Sequence, residues 1–398
     1  MQIEARLYTD NRLVVIEIES GLIVQVREKA DLRRSESQNL LVAPGLVDNQ
    51  VNGYAGVDFT ALGLTVEAVR KVTRALWQHG VTTYLPTLIT AEKARLQENF
   101  SVLARVQADP EIGLSLPGFH LEGPYISPED GYRGAHPKAW VRPPDWPEFL
   151  ELNRAAQNKI RQITLAPELP GALDFIRNCV KAGIVVAMGH HNASAQTIQK
   201  AVDAGVVIST HLGNACANQI HRHKNPLWPQ LAEDRLHASL IVDDCHLRPE
   251  EVQVFFKVKG PQRIVLISDA TMLAGMPAGE YEWNGQKIEL TANGMIKLPE
   301  QNVQAGASLP LHRGVINLMK FTHCSLTDAI HAASKNPAVL NRLPDRGEIK
   351  TGLRADLILF TLEKGEIKIH KTIVAGRVVY DARKLPADKS DLINENEL

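Results

Sequence analysis

The sequence predicts a closed (β/α)₈ barrel beside a small β-sandwich built from the two ends of the chain. Three observations lead there. Between residues 41 and 270, eight short β-branched runs alternate with stretches long enough to hold helices. Both ends of the chain show the two-residue alternation of half-buried strands. The first run continues as "VDNQVNGYAG", which matches no G-x-G-x-x-G, so the phosphate loop of the rival open, doubly wound sheet is missing.

The first element, "IEARLYTDNRLVVIEIESGLIVQVREKA", alternates as strands do and carries turn signals at Asp10-Asn11 and Gly21. The eight barrel runs are "LVDNQ" (46–50), "TTYLPT" (82–87), "GFHLEG" (118–123), "ITLAPE" (163–168), "VVAMGH" (185–190), "VISTHL" (207–212), "ASLIVD" (238–243) and "IVLISD" (264–269). The segment from Tyr125 to Pro147 is too rich in Gly and Pro for a regular helix and too long for a plain connection, which is the signature of a lid over a site. His136 rides on that lid and is expected to reach the site when substrate binds, while Trp140 and Trp146 are expected to anchor its base. After residue 350, "DLILFTLEKGEIKIHKTIVAGRVVYD" returns to short alternating strands. The expected division is a discontinuous sandwich of residues 1–43 and 345–398 around a barrel of residues 44–344.

Composition narrows the function. With 398 residues, 44% hydrophobic and 22% charged, the chain reads as an ordinary soluble globular protein. Its formal charge of −1 supplies no general pull toward nucleic acid or anionic membrane, so any anion must be held by a local site. The four cysteines, Cys179, Cys216, Cys245 and Cys324, lie far apart without a C-x-x-C pair, as suits reduced thiols. No run approaches the roughly 20 apolar residues that span a bilayer, and no signal-peptide pattern opens the chain. A cytoplasmic location is expected.

Active sites of such barrels are built at the C-terminal ends of the strands. Glu122, His190, His211, His246 and Asp269 all stand at or just past those ends. A carboxylate and two imidazoles make an open three-ligand metal site, in which a zinc ion lowers the pKa of water toward about 7. Glu122, His190 and His211 fit that set, and Asp269 is placed to take a proton and later return it to a leaving amine. Each residue taken singly reads as readily as a core or capping residue: Asp269 could cap a helix begun by "ATMLAG", and of the adjacent pair His190 and His191 only one can face a barrel mouth. Five such residues at one rim favour a single cause.

The motifs "HLEGPY", "GHHNAS", "STHLGNA" and "ISDAT…AG", in this order, resemble those of the N-acetylglucosamine-6-phosphate deacetylase family of the amidohydrolase superfamily. The resemblance extends to "APGLVD", "RGAHP" and "NPAVLNRLPDRGEIKTGLRADLILF", and so spans nearly the whole chain. It implies Glu122, His190 and His211 as metal ligands and Asp269 as catalytic acid/base. It also implies His136, Asn214, Ala215, Arg222, His246 and Leu309 as substrate contacts, with Arg222 a bidentate partner for phosphate. Where many amidohydrolases carry His-x-His after strand one, this chain has Gln50 and Asn52, so the resemblance implies one divalent ion per subunit rather than two. Zinc is the expected ion, and Fe²⁺, Mn²⁺ and Co²⁺ suit the same donors. Strand four offers no lysine for a carboxylated bridge. "CANQIHRHKNPLW" departs from the Met-Pro and Pro-Gly of the family around the arginine.

The expected activity is metal-dependent hydrolysis of the N-acetyl group of N-acetylglucosamine 6-phosphate, by a homodimer that binds neither nucleic acid nor membrane. Two alternatives remain: another N-acetylhexosamine phosphate or a cyclic amide as substrate, and a catalytically silent scaffold of the same fold. A scaffold has no need of all three ligands and Asp269.

Overall fold

The computed structural model describes residues 1–29, 39–300 and 303–384. The parts of the expected sandwich at 30–38 and 385–398 lie outside the described residues.

Eight parallel strands follow one another in strict chain order around the barrel: Leu46–Val51, Val81–Leu88, Phe119–Glu122, Ile160–Leu165, Val185–Met188, Val206–Ser209, His237–Leu240 and Ile264–Leu266. Helices between them present apolar faces to the barrel. The helix Val66–Gln78, for example, starts where the Thr65 side chain accepts from the Ala68 N–H, and it buries Val69, Val72, Leu76 and Trp77. Closure between the eighth strand and the first is made by isolated contacts rather than a continuous ladder. The buried Asp48 accepts the Ser268 N–H at 3.2 Å, Asp269 N donates to Gln50 O at 3.1 Å, and Val51 bridges Ala270.

All eight predicted runs are strands, yet the last six overran, three of them across site residues. Runs five, six and eight were extended to His190, Leu212 and Asp269, while the strands stop at Met188, Ser209 and Leu266. The cause is backbone conformation: His190, His211 and Asp269 have φ of 53°, 31° and 49°, in the left-handed region that non-glycine residues seldom adopt. Such a step ends the ladder, and residues held in it against preference gather at functional sites.

The two chain ends form a seven-stranded sheet in the order Arg377–Asp381, Glu366–Val374, Leu357–Glu363, Leu41–Pro44, Gln2–Leu7, Leu13–Glu19, Leu22–Glu28. Ile18 and Ile23 from one end of that sheet share a core cluster with Leu357 and Ile373 from the other, so the sheet wraps onto itself. Gly21 and Gly376 meet where the halves touch.

One unit was not anticipated. Between the eighth strand and the helix Leu311–Thr322, a four-stranded antiparallel sheet is built from Gly279–Trp283, Gln286–Leu290, Ile296–Leu298 and Val303–Gln304. Its first turn is Asn284-Gly285, with both φ positive at 52° and 75°, the geometry of a two-residue hairpin. The Asn-Gly pair between alternating runs was a legible signal.

Outside the site, the buried His79 and His312 stack with ring centroids 5.3 Å apart, and His79 Nε2 pairs with Tyr54 Oη at 2.9 Å. Burial pushes His79 down from 6.5 to about 4 and His312 in the same direction. The folded state thus keeps both neutral where the unfolded chain binds protons. Stability from this pair is present above pH 6.5 and is lost as pH falls toward 4, with His79 alone worth about 3 kcal/mol. The expected result is that urea midpoints drop more steeply from pH 6.5 to 4.5 in wild type than in His79→Asn/His312→Asn. Parallel slopes would show that the pair carries no such linkage.

Candidate active site

Four side chains converge at the barrel mouth. Glu122 Oε1 lies 3.0 Å from His211 Nε2 and 3.4 Å from His190 Nε2, and the two Nε2 atoms are 3.2 Å apart. Donor atoms of Glu122, His136 and His190 also lie within 4.8 Å of one another. All four residues are buried.

Hydrogen bonding sets which ring nitrogen carries the proton in His190 and His136. His190 Nδ1 is 3.0 Å from Tyr132 O, and a carbonyl only accepts, so Nδ1 carries the proton and Nε2 turns a lone pair to the cluster. His136 Nδ1 receives the Thr90 N–H at 3.4 Å and stands 2.8 Å from Thr90 Oγ1, so in the neutral ring Nε2 carries the proton and acts as a donor. Burial first, and then the neighbouring His190, hold His136 well below 6.5 and therefore neutral. His211 offers Nε2 to the cluster, while its buried Nδ1 has no partner.

The set Glu122, His190 and His211 therefore fits a divalent cation. Two imidazole nitrogens and a carboxylate oxygen held 3.0–3.4 Å apart match the edges of a tetrahedron around an ion with bonds of about 2.0–2.2 Å, and a cation among them would replace the protons that otherwise bridge these atoms. Burial works against the Glu122 carboxylate, but where protons on His190 and His211 stand in for an ion, their hydrogen bonds and charge outweigh it and hold Glu122 well below the usual carboxylate range. For His211, likewise, burial is overcome by Glu122 and the net direction is up.

Asp269 is tied to this cluster through the two amides at the His-x-His positions. Gln50 Nε2 donates to both Glu122 Oε1 and Asp269 Oδ1 at 2.9 Å, and Asn52 Nδ2 donates to Asp269 Oδ1 at 2.7 Å. Gln50 thus stands between the two carboxylates. Burial, followed by the charge of Glu122, pushes Asp269 up to about 6.

The lid residues are already in place. His190 O accepts the Ser127 N–H at 2.9 Å, and the His136 and His190 rings are 4.3 Å apart. Gly134, at φ +59°, packs where a Cβ would come within 3.2 Å of His190 Cε1, so a side chain there would press on the cluster. Trp146 stacks on Phe149 at 5.3 Å, as a base anchor does. Trp140 instead stays 39% exposed.

A cavity of about 570 Å³ opens over the cluster and is lined by His136, Asn214, Ala215, His246 and Asp269. Asn214 Nδ2 is buried without a partner, a free donor for a ligand. His246 is fixed by Asp243, whose Oδ2 lies 2.7 Å from His246 Nδ1. Arg222 and Leu309 are not brought to this wall. Arg222 stands on an exposed loop beyond Ile220, where its carbonyl accepts the Trp228 indole N–H. His191 turns away and takes the Ala193 N–H.

Sequence reasoning missed three groups. His120 lies beneath Glu122 on the same strand face and joins Thr87 to Thr164 inside the barrel; the two-residue spacing from Glu122 was the available signal. Trp283 and Val303–Gly306, from the unanticipated sheet, close one side of the cavity, with Trp283 donating to Asp58 at 2.8 Å. Gln50 and Asn52 were read only as poor ligands, whereas they orient both carboxylates.

Fold and site together define a barrel enzyme whose rim holds a carboxylate–imidazole cluster suited to a metal ion. The family model described as "Amidohydrolase family" matches residues 41–379. An N-acetylglucosamine-6-phosphate deacetylase of Bacillus subtilis (strain 168) is 30% identical over 86% of this chain and 86% of its own length. An N-acetylgalactosamine-6-phosphate deacetylase of Escherichia coli O157:H7 is also 30% identical, over 86% and 89%. A Mycobacterium smegmatis N-acetyl-D-glucosamine-6-phosphate deacetylase variant, solved in complex with N-acetyl-D-glucosamine-6-phosphate, superposes with a TM-score of 0.84 at 29% identity, covering 95% of this chain and 99% of that one. The chain belongs to the amidohydrolase family and, within it, to the N-acetylglucosamine-6-phosphate deacetylases.

Proposed function

We propose that the protein hydrolyses the N-acetyl group of N-acetylglucosamine 6-phosphate to glucosamine 6-phosphate and acetate, with residues 44–344 as the catalytic unit. The observation that carries this reading is the link from Glu122, His190 and His211 through Gln50 to Asp269, which sets a proton-transfer group beside a metal-ligand set. A divalent ion held by Glu122, His190 and His211, zinc by the donor types, would polarise the amide carbonyl and acidify water. Asp269 takes the proton from the attacking water and returns it to the nitrogen of the departing amine. The His136 Nε2–H, kept neutral and aimed by Thr90, donates to the acetamide oxygen or a sugar hydroxyl. Asn214 and His246 face the sugar from the opposite wall.

A homodimer is supported by exposed apolar groups: Trp228 is 55% exposed, and Val254 and Val258 stand one helical turn apart at 48% and 46%. Four free cysteines suit a cytoplasmic location.

Acetate release by the metal-loaded protein from N-acetylglucosamine 6-phosphate and N-acetylgalactosamine 6-phosphate, measured in parallel, tests the reading. The first is expected to be the better substrate, and the second faster would reverse the assignment. Arg222 lies outside the cavity lining, so its phosphate contact requires the exposed loop beyond Ile220 to close over bound substrate. On that reading Arg222→Ala raises KM about 10- to 150-fold for the phosphorylated sugar and little for N-acetylglucosamine, since a charge-assisted phosphate contact is worth about 1.5–3 kcal/mol. Equal effects on both sugars would remove Arg222 from phosphate binding.

A further inference from the structure

The lid segment 131–136 is a wall with two faces. One bounds the catalytic cavity, and the other bounds a second cavity of about 850 Å³, with Ile89, Trp283 and Val303 also shared between them. Their charges are opposite. The lining of the catalytic cavity includes Asp58, Glu122, Glu251 and Asp269 but neither lysine nor arginine, whereas the second cavity is lined by Arg95, Arg133 and Lys138, with Asp130 its one carboxylate.

Asp130 is already taken. It pairs with Arg133 Nη2 at 2.6 Å, and Arg133 Nη1 donates to His136 O at 2.7 Å. Arg95 is different: its Nε–H is buried with no partner, and it forms no ion pair among the described residues. Asp58 acts on it only through space, because the Asp58 carboxylate is held by Thr60 N–H and the Trp283 indole. A buried guanidinium N–H without an acceptor is unfavourable, and an oxyanion relieves it with the planar, two-pronged match that arginine gives phosphate. Lys138 adds an exposed point charge, and Trp140 and Trp283 give the cavity flat apolar walls.

We propose that this second cavity is an anion subsite for a phosphorylated sugar, separate from the catalytic cavity, with Arg95 and Lys138 holding the phosphate and the tryptophans bounding the sugar ring. The sugar part rests on the deacetylase reading above; the anion part rests on the cations alone. Because Arg133 holds the His136 carbonyl, an occupant beside it restrains the segment that carries His136 over the catalytic cluster.

The test is calorimetric titration of the metal-loaded full chain with inorganic phosphate and, separately, with glucosamine 6-phosphate. The expected result is a phosphate site that Arg95→Ala/Lys138→Ala weakens at least about tenfold and that Arg222→Ala leaves intact. Deacetylation kcat/KM at low substrate should stay within about twofold in the double variant. Arg95→Gln, which keeps the length and polarity of the side chain, should give a smaller loss, separating charge from folding. Unchanged phosphate binding in Arg95→Ala/Lys138→Ala overturns the proposal, as does binding lost alike in Arg222→Ala, which would make the two sites one. Glucosamine 6-phosphate binding no tighter than inorganic phosphate overturns the sugar assignment. The phosphate titration needs no turnover, so failure of the deacetylase reading and failure of this proposal are read independently.

Discussion

Glu122→Gln, His190→Asn and His211→Asn are each expected to strip the protein of its metal while leaving the fold intact. These residues sit at the strand ends above the packed barrel interior, and their side chains interact with one another, with Gln50 and with lid backbone. Removing one leaves two donors where three held the ion, and turnover should fall by at least about three orders of magnitude, because water without a metal has a pKa of about 15.7 rather than about 7. Elemental analysis is the direct readout, with circular dichroism as the control for folding. A full metal complement in all three variants would sink the ligand assignment. His136→Asn provides the contrast: with its Nε2 protonated it is a donor, so this variant should keep its metal and lose activity.

Asp269→Asn should show the opposite pattern, with metal and substrate still bound and turnover down by about 10² to 10⁴, the range for losing general acid–base catalysis. The amide oxygen can still accept from Gln50 and Asn52, which hold Oδ1 at 2.9 and 2.7 Å, so geometry survives while the base is gone. In wild type the base form is the active one, and rate should fall about tenfold per unit as pH drops below the Asp269 pKa. That limb lies at or below the value of about 6 set by burial and Glu122, since a bound cation favours the carboxylate further. The acid limb of kcat/KM should be lost in the variant. Near-normal turnover with an unchanged profile would move the proton-transfer role to His136 or His246.

Much of this was legible in the chain. Strand positions follow from short β-branched runs, whose periodicity is local information, and Glu122, His190, His211 and Asp269 could be placed because each sits where such a run ends. Residue type supplied the chemistry: a carboxylate and imidazoles at one rim suit a metal whatever holds them there. The Asn284-Gly285 hairpin was equally local, a two-residue turn between alternating runs.

Other features depend on partners far away in sequence. His136 and His190 are the same residue type on the same rim, yet Thr90 N–H makes the first a donor through Nε2 and Tyr132 O turns the Nε2 lone pair of the second to the cluster, across separations of 46 and 58 residues. Gln50 orients two carboxylates 72 and 219 residues away, which no pattern around position 50 encodes. Arg222, two residues from the cavity-lining Ile220, is nevertheless exposed and outside the lining. Arg95, one polar residue among many on a surface helix, becomes a buried unpaired donor only where the lid and the four-stranded sheet close over it. The sequence by itself determined which residues were available at each strand end, because period and residue type are local. The tertiary structure alone decided protonation, pairing and exposure, because these are set by whichever groups the fold brings within hydrogen-bonding distance.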